Sequence, residues 1–397
     1  MAPSFDDENS LFDFVVKNGN GVKGLVDSGI AKVPKRYVQP PQERIDKLDA
    51  FSQVLSPIDL SKLDQPAEHD QVAETIIRAA ETLGFFQVVN HGVPVELLEA
   101  LKDAAHKFFA QPPKKKAVYL KAVSPSPLIK YGTSFVPEKE KALEWKDYIS
   151  MTYTNDAEAL EHWPNQCKEV ALEYLKASTK MVWKLIEVLL KNLGVTQKHN
   201  SIIEALTGQN MVNMNFYPAC PDPELTVGVG RHSDLGTITV LLQDGIGGLY
   251  VKAEENIDTA KKPEWIEIPP IPGALVINVG DTLQVKCYNG SRICYSNKKL
   301  NHFHYTDTCS CTFQILSNGR YKSAEHRVRT TSTQSRVSIP FFTTPKRTTK
   351  IGPLPQLVTI DQAAHYREVT FGDYMDHFFG NAHEGKKSLD FTRNSSD

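Results

Sequence analysis

The feature that most restricts what this chain can fold into is a change of texture near residue 208. Upstream, apolar residues recur at helical spacing. In EHDQVAETIIRAAETLG, Val72, Ile76, Ala79, Ala80 and Leu83 fall on one stripe, and Gly84 follows as a stop. FFQVVNHGV then reads as a buried strand, and Pro94 is expected to open the next helix as its first residue, where a missing N–H costs nothing. From Lys168 a longer stripe runs through Leu172, Leu175, Val182, Leu185, Leu189 and Leu193 and ends at Gly194, which predicts a long amphipathic helix packed against a sheet. Downstream the runs are short and β-like: MVNMNFY, TITVLLQD, GLYVK, EWIEIP, ALVINVG and RVSIPFF, separated by Gly, Pro and Asp. Short strands at close spacing close into a barrel or a two-sheet jelly roll. The expectation is therefore an α+β chain with a double-stranded β-helix (jelly-roll) core, buttressed by N-terminal helices and the long amphipathic helix. Its segments would be an N-terminal extension over 1–55, a mostly helical region over 56–165, the long helix and its connection over 166–207, the jelly roll over 208–345 and a C-terminal segment over 346–397.

Charge excludes some partners. The 45 Lys+Arg and 47 Asp+Glu nearly cancel, so no net field draws the chain to nucleic acid or to an anionic membrane. The start, MAPSFDDENS, lacks a basic region followed by an apolar run, and no stretch is long and apolar enough to span a bilayer. A cytoplasmic monomer without nucleic-acid or membrane partners is expected, with Cys167 and Cys220 as reduced thiols and the sequons at Asn289 and Asn394 unmodified. The basic run Lys114 to Lys116 reads as a solvated loop.

The chemistry is expected in the β half. Within RHSD, His232 and Asp234 sit two apart, so on a strand both side chains leave the same face. Composition alone gives roughly one chance His-x-Asp pair in such a chain, so the pair counts only with company. That company is His326 in SAEHRV, Arg336 and Ser338 alternating in RVS, and Asn215 and Tyr217 alternating in NFY. Two imidazoles and one carboxylate form a facial triad that leaves positions open on non-haem Fe(II). A guanidinium and a hydroxyl on one strand suit a distal carboxylate, because Arg offers a planar fork.

These residues and their spacing resemble the plant 2-oxoglutarate/Fe(II)-dependent dioxygenases over nearly the whole chain, on GFFQVVNHGVP, NFYPACPDPELTVGVGRHSD and GPLP. The resemblance implies that His232, Asp234 and His326 hold Fe(II), and that Arg336, Ser338 and Tyr217, with Asn215 nearby, hold 2-oxoglutarate. It also implies O2 as cosubstrate, ascorbate as reductant, and succinate and CO2 as co-products.

FVVKNGNGVKGLVDSGI, KYGTSFVPEKEKALEWKDYISM and ILSNGRYKSAEHRVRTT are similar to a coumarin-forming subgroup of that family. This implies a small phenolic substrate, first scopoletin hydroxylated at C8 to fraxetin, with ortho-hydroxylation of feruloyl-CoA or p-coumaroyl-CoA as the alternative. A flat phenol needs an apolar slot with a few polar anchors, for which Tyr131, Phe135, Met211, Asn213 and Phe342 are candidate walls on strands beside the metal segment. A coenzyme A thioester would instead need cations at the mouth, and Lys130, Lys139 and Lys141 are candidates.

One block departs from the family. GDTLQ is expected to continue directly into ILSNGRYKSAEHRV, but residues 285–314 intervene, with four of the six cysteines and no apolar period. Gln284 permits a CAG/GT junction, and Phe313 with Gln314 permits a pyrimidine tract ending in CAG. The leading reading is a retained intron translated in frame. A genuine loop insertion is the next, and a zinc site built from Cys287, Cys294, His302, His304, Cys309 and Cys311 has the wrong ligand spacing. Three functional outcomes stay open: an active hydroxylase, an inactive product whose ligands never meet, and a binder that does not oxidise.

Overall fold

In the computed structural model, residues 7–45, 50–52, 56–195, 199–253, 265–283, 317, 320–352, 366–381 and 385–392 are described. The block 285–314, with its four cysteines and Asn289, lies outside them, as does Asn394.

Numbered along the chain, eight strands make one sheet in the spatial order β2 (Ile58–Asp59), β3 (Phe85–Val89), β11 (Leu275–Val279), β8 (Ile238–Gln243), β13 (Arg336–Thr344), β6 (Gln209–Tyr217), β5 (Asp147–Tyr153) and β4 (Ile129–Thr133). Five make a facing sheet: β1 (Ala50–Ser52), β10 (Trp265–Glu267), β9 (Leu249–Lys252), β12 (His326–Val328) and β7 (Val229–His232). This is the expected jelly roll, and every β-like run named above forms a strand. The region expected to be mostly helical does more than buttress, since β2 to β5 all come from it and extend the large sheet at both edges.

The large sheet is buried on both faces. Along β6, Val212, Met214 and Phe216 point into a core shared with helices α2 (His69–Thr82), α3 (Val95–Phe109) and α4 (Lys168–Asn192). Along β13, Val337, Ile339 and Phe341 do the same. The alternate residues, Met211, Asn213, Asn215 and Tyr217 on β6 and Arg336, Ser338, Pro340 and Phe342 on β13, face a cavity between the sheets. A pleat of period two delivers one set to the core and the other to the site. The α4 stripe is buried as expected, and Gly84 and Gly194 both take φ near +70 to +80°, which suits a helix-ending glycine.

Three local expectations need correcting. Pro94 is extended (φ −58°, ψ 135°) and caps α3, which starts at Val95. Lys116 is not solvated. It sits in a short helix, Pro113–Ala117, with its Nζ donating to Phe109 O at 3.0 Å and lying 5.8 Å from the Tyr131 ring centroid. Burial lowers its pKa. Tyr131 is not a cavity wall either: it pairs with Ile149, which pairs with Met214, so all three face the helical core, where Tyr131 packs on Phe108.

The extension docks on the large sheet through α1 (Gly21–Asp27), whose first amides, Val22 N and Lys23 N, donate to the buried Asp147 carboxylate at 2.7 and 2.9 Å. Gly21 has φ +69°, and a Cβ there would stand 2.4 Å from Asp147 Oδ1. Desolvation by burial pushes the Asp147 carboxyl up to about 6. At the other end of the chain, α5 (Phe371–Phe379) covers the open end of the cavity. Among the described residues no helix is long and apolar enough to cross a membrane.

Candidate active site

His232 ends β7 and His326 begins β12, and the two are opposite each other in register, with ring centroids 4.2 Å apart. Each ring is turned by its own strand: His232 Nδ1 donates to Gly230 O at 2.8 Å and His326 Nδ1 to Ala324 O at 3.2 Å. That tautomer leaves the lone pair on Nε2, and both Nε2 atoms stand 3.6 Å from Asp234 Oδ1. Asp234 is not on the strand with His232, as the His-x-Asp spacing suggested. The chain leaves β7 after His232, Ser233 turns away to Asp281, and Asp281 N donates to Asp234 O at 2.7 Å. A turn, not a pleat, brings the carboxylate in.

The other carboxylate oxygen is fully occupied. Asp234 Oδ2 accepts from Asn278 Nδ2 at 2.6 Å and from Thr239 Oγ1 at 2.7 Å, which leaves Oδ1 to face the imidazoles. Burial alone would raise the Asp234 carboxyl, but His326, His232 and Thr239 outweigh it and hold it well below the usual carboxylate range. Burial, with His232 adding to it, pushes His326 down to about 4. The ligand forms, an ionised Asp and a neutral imidazole, are thus the stable ones at neutral pH. Among the described residues this is the one His/Cys/Asp/Glu group whose atoms lie close enough to share an ion. Two imidazole nitrogens and one carboxylate oxygen, all on one side, fit iron(II).

Facing this cluster, Arg336 pairs with Tyr217 and Ser338 with Asn215 across β13 and β6. Arg336 is 1% exposed, with Nε on Ile246 O at 3.1 Å, Nη2 on Gln243 Oε1 at 2.9 Å and its Cζ 5.1 Å from the Tyr217 ring centroid. Nη1 has no partner among the described residues. A buried guanidinium with an open donor, beside two hydroxyls 3.3 Å apart, fits a carboxylate.

The cavity that joins the two groups has a volume of about 360 Å³. Its outer part is lined by Phe135, Met211, Phe342, Met375, Phe378 and Phe379, with Asn213 as a polar spot. Four of the five expected walls are there; Phe135 sits on a turn after β4, not on a strand.

Two supports were not foreseen from the sequence. Asp281 accepts from Ser233 Oγ, Ser323 Oγ and Tyr374 OH, so one buried carboxyl links the turn before Asp234, the segment before His326 and α5. Glu325 accepts from Arg231 Nη1, Lys252 Nζ and Lys386 N, each at 3.0 Å, and so ties both histidine strands to the C-terminal segment. The available signal was adjacency, since Arg231 and Glu325 each immediately precede a histidine.

Residues 208–345 match the family described as 2OG-Fe(II) oxygenase superfamily, and residues 55–169 match the one described as non-haem dioxygenase in morphine synthesis N-terminal. The chain belongs to the 2OG-Fe(II) oxygenase superfamily. This oxygenase is 57% identical over 394 residues to the scopoletin 8-hydroxylase of Arabidopsis thaliana, covering 99% of each chain. It is 45% identical to a feruloyl CoA ortho-hydroxylase of Ipomoea batatas over 97% of each. Among solved structures, JOX2 in complex with 2OG, Fe and JA superposes with a TM-score of 0.74 at 31% identity, covering 94% of this oxygenase and 97% of JOX2. The oxygenase is thus an oxidoreductase that works with Fe(II) and 2-oxoglutarate.

Proposed function

We propose that this oxygenase hydroxylates scopoletin at C8 to give fraxetin, with succinate and CO2 as co-products. The observation that carries the reading is the likeness over 99% of its length to a scopoletin 8-hydroxylase, in a chain whose cavity is walled by aromatic and apolar side chains beside the His-Asp-His cluster. His232, Asp234 and His326 would hold the iron. Bound Fe(II) and 2-oxoglutarate supply activation of O2 coupled to decarboxylation of the keto acid, and ascorbate serves as external reductant. Arg336 would grip the distal carboxylate of 2-oxoglutarate with its open Nη1, and Ser338 and Tyr217 would add hydroxyl contacts, with Asn215 beside them. Thr239 and Asn278 keep Asp234 presenting one oxygen. Phe342 and Met211, cross-strand neighbours on the cavity face of the large sheet, would together form one apolar floor under the flat ring, and Asn213 would offer a polar anchor.

Ortho-hydroxylation of feruloyl-CoA is the second reading, favoured by relatives at 45% identity and below. The block 285–314 is proposed to be a retained intron that leaves the site assembled. What supports an assembled site is that Ser317 Oγ donates to Leu283 O at 2.5 Å and Tyr321 OH to Leu189 O of α4 at 2.7 Å, so the described residues flanking the block meet; the intron reading rests on the junctions at Gln284 and at Phe313 with Gln314.

The test is aerobic turnover with Fe(II), 2-oxoglutarate and ascorbate, scoring succinate and product mass. Scopoletin should gain one oxygen atom. A protein that binds iron and 2-oxoglutarate but leaves scopoletin unchanged while oxidising feruloyl-CoA would reverse the two readings.

A further inference from the structure

The mouth of the cavity is assembled from two segments far apart in sequence, residues 134–141 and α5 with the residues that follow it. Phe135 stands 5.8 Å from Phe378 with rings at 80° and 5.6 Å from Phe379 at 32°, and Phe378 and Phe379 are 5.4 Å apart at 82°. All three rings line the cavity, and Phe379 is 46% exposed, so the cluster forms the rim between cavity and solvent. Such offset and edge-on rings attract one another beyond simple burial. The arrangement is held from behind. The amides of Phe135 and Val136 donate to the buried Glu140 carboxylate at 2.9 and 2.7 Å, which fixes the Phe135 turn. Lys139 Nζ donates to Gly380 O, the first carbonyl past α5, and so ties the two segments together.

We infer that Lys139, Phe135, Phe378 and Phe379 form a clasp that selects a free, flat phenol over a substrate carrying a long thioester arm. The inference rests on the hydroxylase reading above and assigns the residues that set its substrate class. A free coumarin is enclosed whole, so the rings part once and close again over it. A coenzyme A thioester must keep its aromatic ring at the metal while the pantetheine arm crosses the rim and the phosphates stay outside. The rim would then stay open for as long as the substrate is bound, at the expense of the two ring contacts of Phe135 with Phe378 and Phe379 and of the Lys139 bond. Lys139 is also one of the cations the sequence offers for those phosphates, and here its ammonium is engaged by α5.

The two roles of Lys139 predict opposite signs. With the protein loaded with Fe(II) and 2-oxoglutarate under argon, calorimetry would give Kd for scopoletin and for feruloyl-CoA in the wild type, Lys139→Met, Phe379→Ala and Phe379→Leu. The clasp requires that Lys139→Met and Phe379→Ala each shift the affinity ratio about tenfold toward feruloyl-CoA, the scale of one lost ring or charged contact, and that Phe379→Leu shift it less. A ratio that stays put in both opening variants, or weaker feruloyl-CoA binding in Lys139→Met, overturns the inference. Admitting air separates the two claims: a shifted binding ratio in a protein that never oxidises scopoletin keeps the clasp and removes the hydroxylase reading.

Discussion

At the deep end of the cavity, Arg336, Ser338, Asn215 and Tyr217 reach one another through strand register alone, whereas at the rim Phe135 meets Phe378 and Phe379 only because α5 folds back across the sheet. The first arrangement is fixed once β6 and β13 pair, and a slip of β13 by one residue would turn Arg336 and Ser338 into the helical core, away from Asn215 and Tyr217. The second hangs on a few ring contacts and one lysine. Deep chemistry on rigid strands and selection on a separable rim allow substrate choice to drift without disturbing the reaction.

The contrast is broken most severely at the metal. Asp234→Ala would remove the one anionic member of the proposed ligand set, and iron content after anaerobic loading should fall to background, read together with loss of the charge-transfer absorption of the 2-oxoglutarate complex. Retained iron would remove Asp234 from the ligand set. Next, Arg336→Met should raise KM for 2-oxoglutarate about a hundredfold, as expected for losing charged hydrogen bonds, with Arg336→Lys recovering only part. Iron affinity should hardly move, and a variant that loses both would show that the deep patch and the metal cluster are not separate units. A smaller effect is due at Asn278. Asn278→Ala strips one donor from Asp234 Oδ2, and iron should bind about tenfold more weakly, with 2-oxoglutarate KM little changed at saturating metal.

A gentler probe is the docking of α1. Asp147 titrates near 6 when folded, above its ordinary carboxyl value of 3.8. The folded protein therefore holds this proton more tightly than the unfolded chain. The favourable contribution is full below about pH 4 and is lost as pH rises through 6, on the order of 2–3 kcal/mol. Urea titrations across that window should show the slope, and Asp147→Asn should reduce it while leaving the part carried by Asp281 and Glu140, which burial pushes up to about 6 and about 7; an unchanged slope would mean that those groups carry all of it. The mildest change expected is deletion of residues 285–314, which should leave iron and 2-oxoglutarate affinity within about twofold because the flanks already meet. If the charge-transfer band appears only after the deletion, the inserted block does disrupt the site.

What the sequence made legible follows the same division. Alternation put Arg336 with Ser338 and Asn215 with Tyr217 because a strand has a strict period of two, and the long stripe of α4 was readable because helical spacing is equally strict. Tyr131 shows where this stops. Its own strand tells that Ile129 and Tyr131 share a face, but which face depends on pairing with β5 and through it β6, which no local pattern carries. Asp234 was assigned correctly to the cluster for a geometry it does not have, since the turn at Ser233 is set by Asp281, 47 residues downstream of Asp234. Lys116 looked solvated because a basic run usually is, and its partner is the backbone carbonyl of Phe109 at the end of α3. In each case the deciding contact is tertiary.

The hydrogen bond between Ser317 and Leu283 has a wider consequence. The entropy of closing a loop rises only with the logarithm of its length, so making this connection about tenfold longer costs about 2 kcal/mol. A scaffold whose chain ends are stapled at one spot acts as a socket for foreign sequence. Splicing error, evolutionary insertion or a deliberately grafted reporter would all be received at that spot with little disturbance to the catalytic interior.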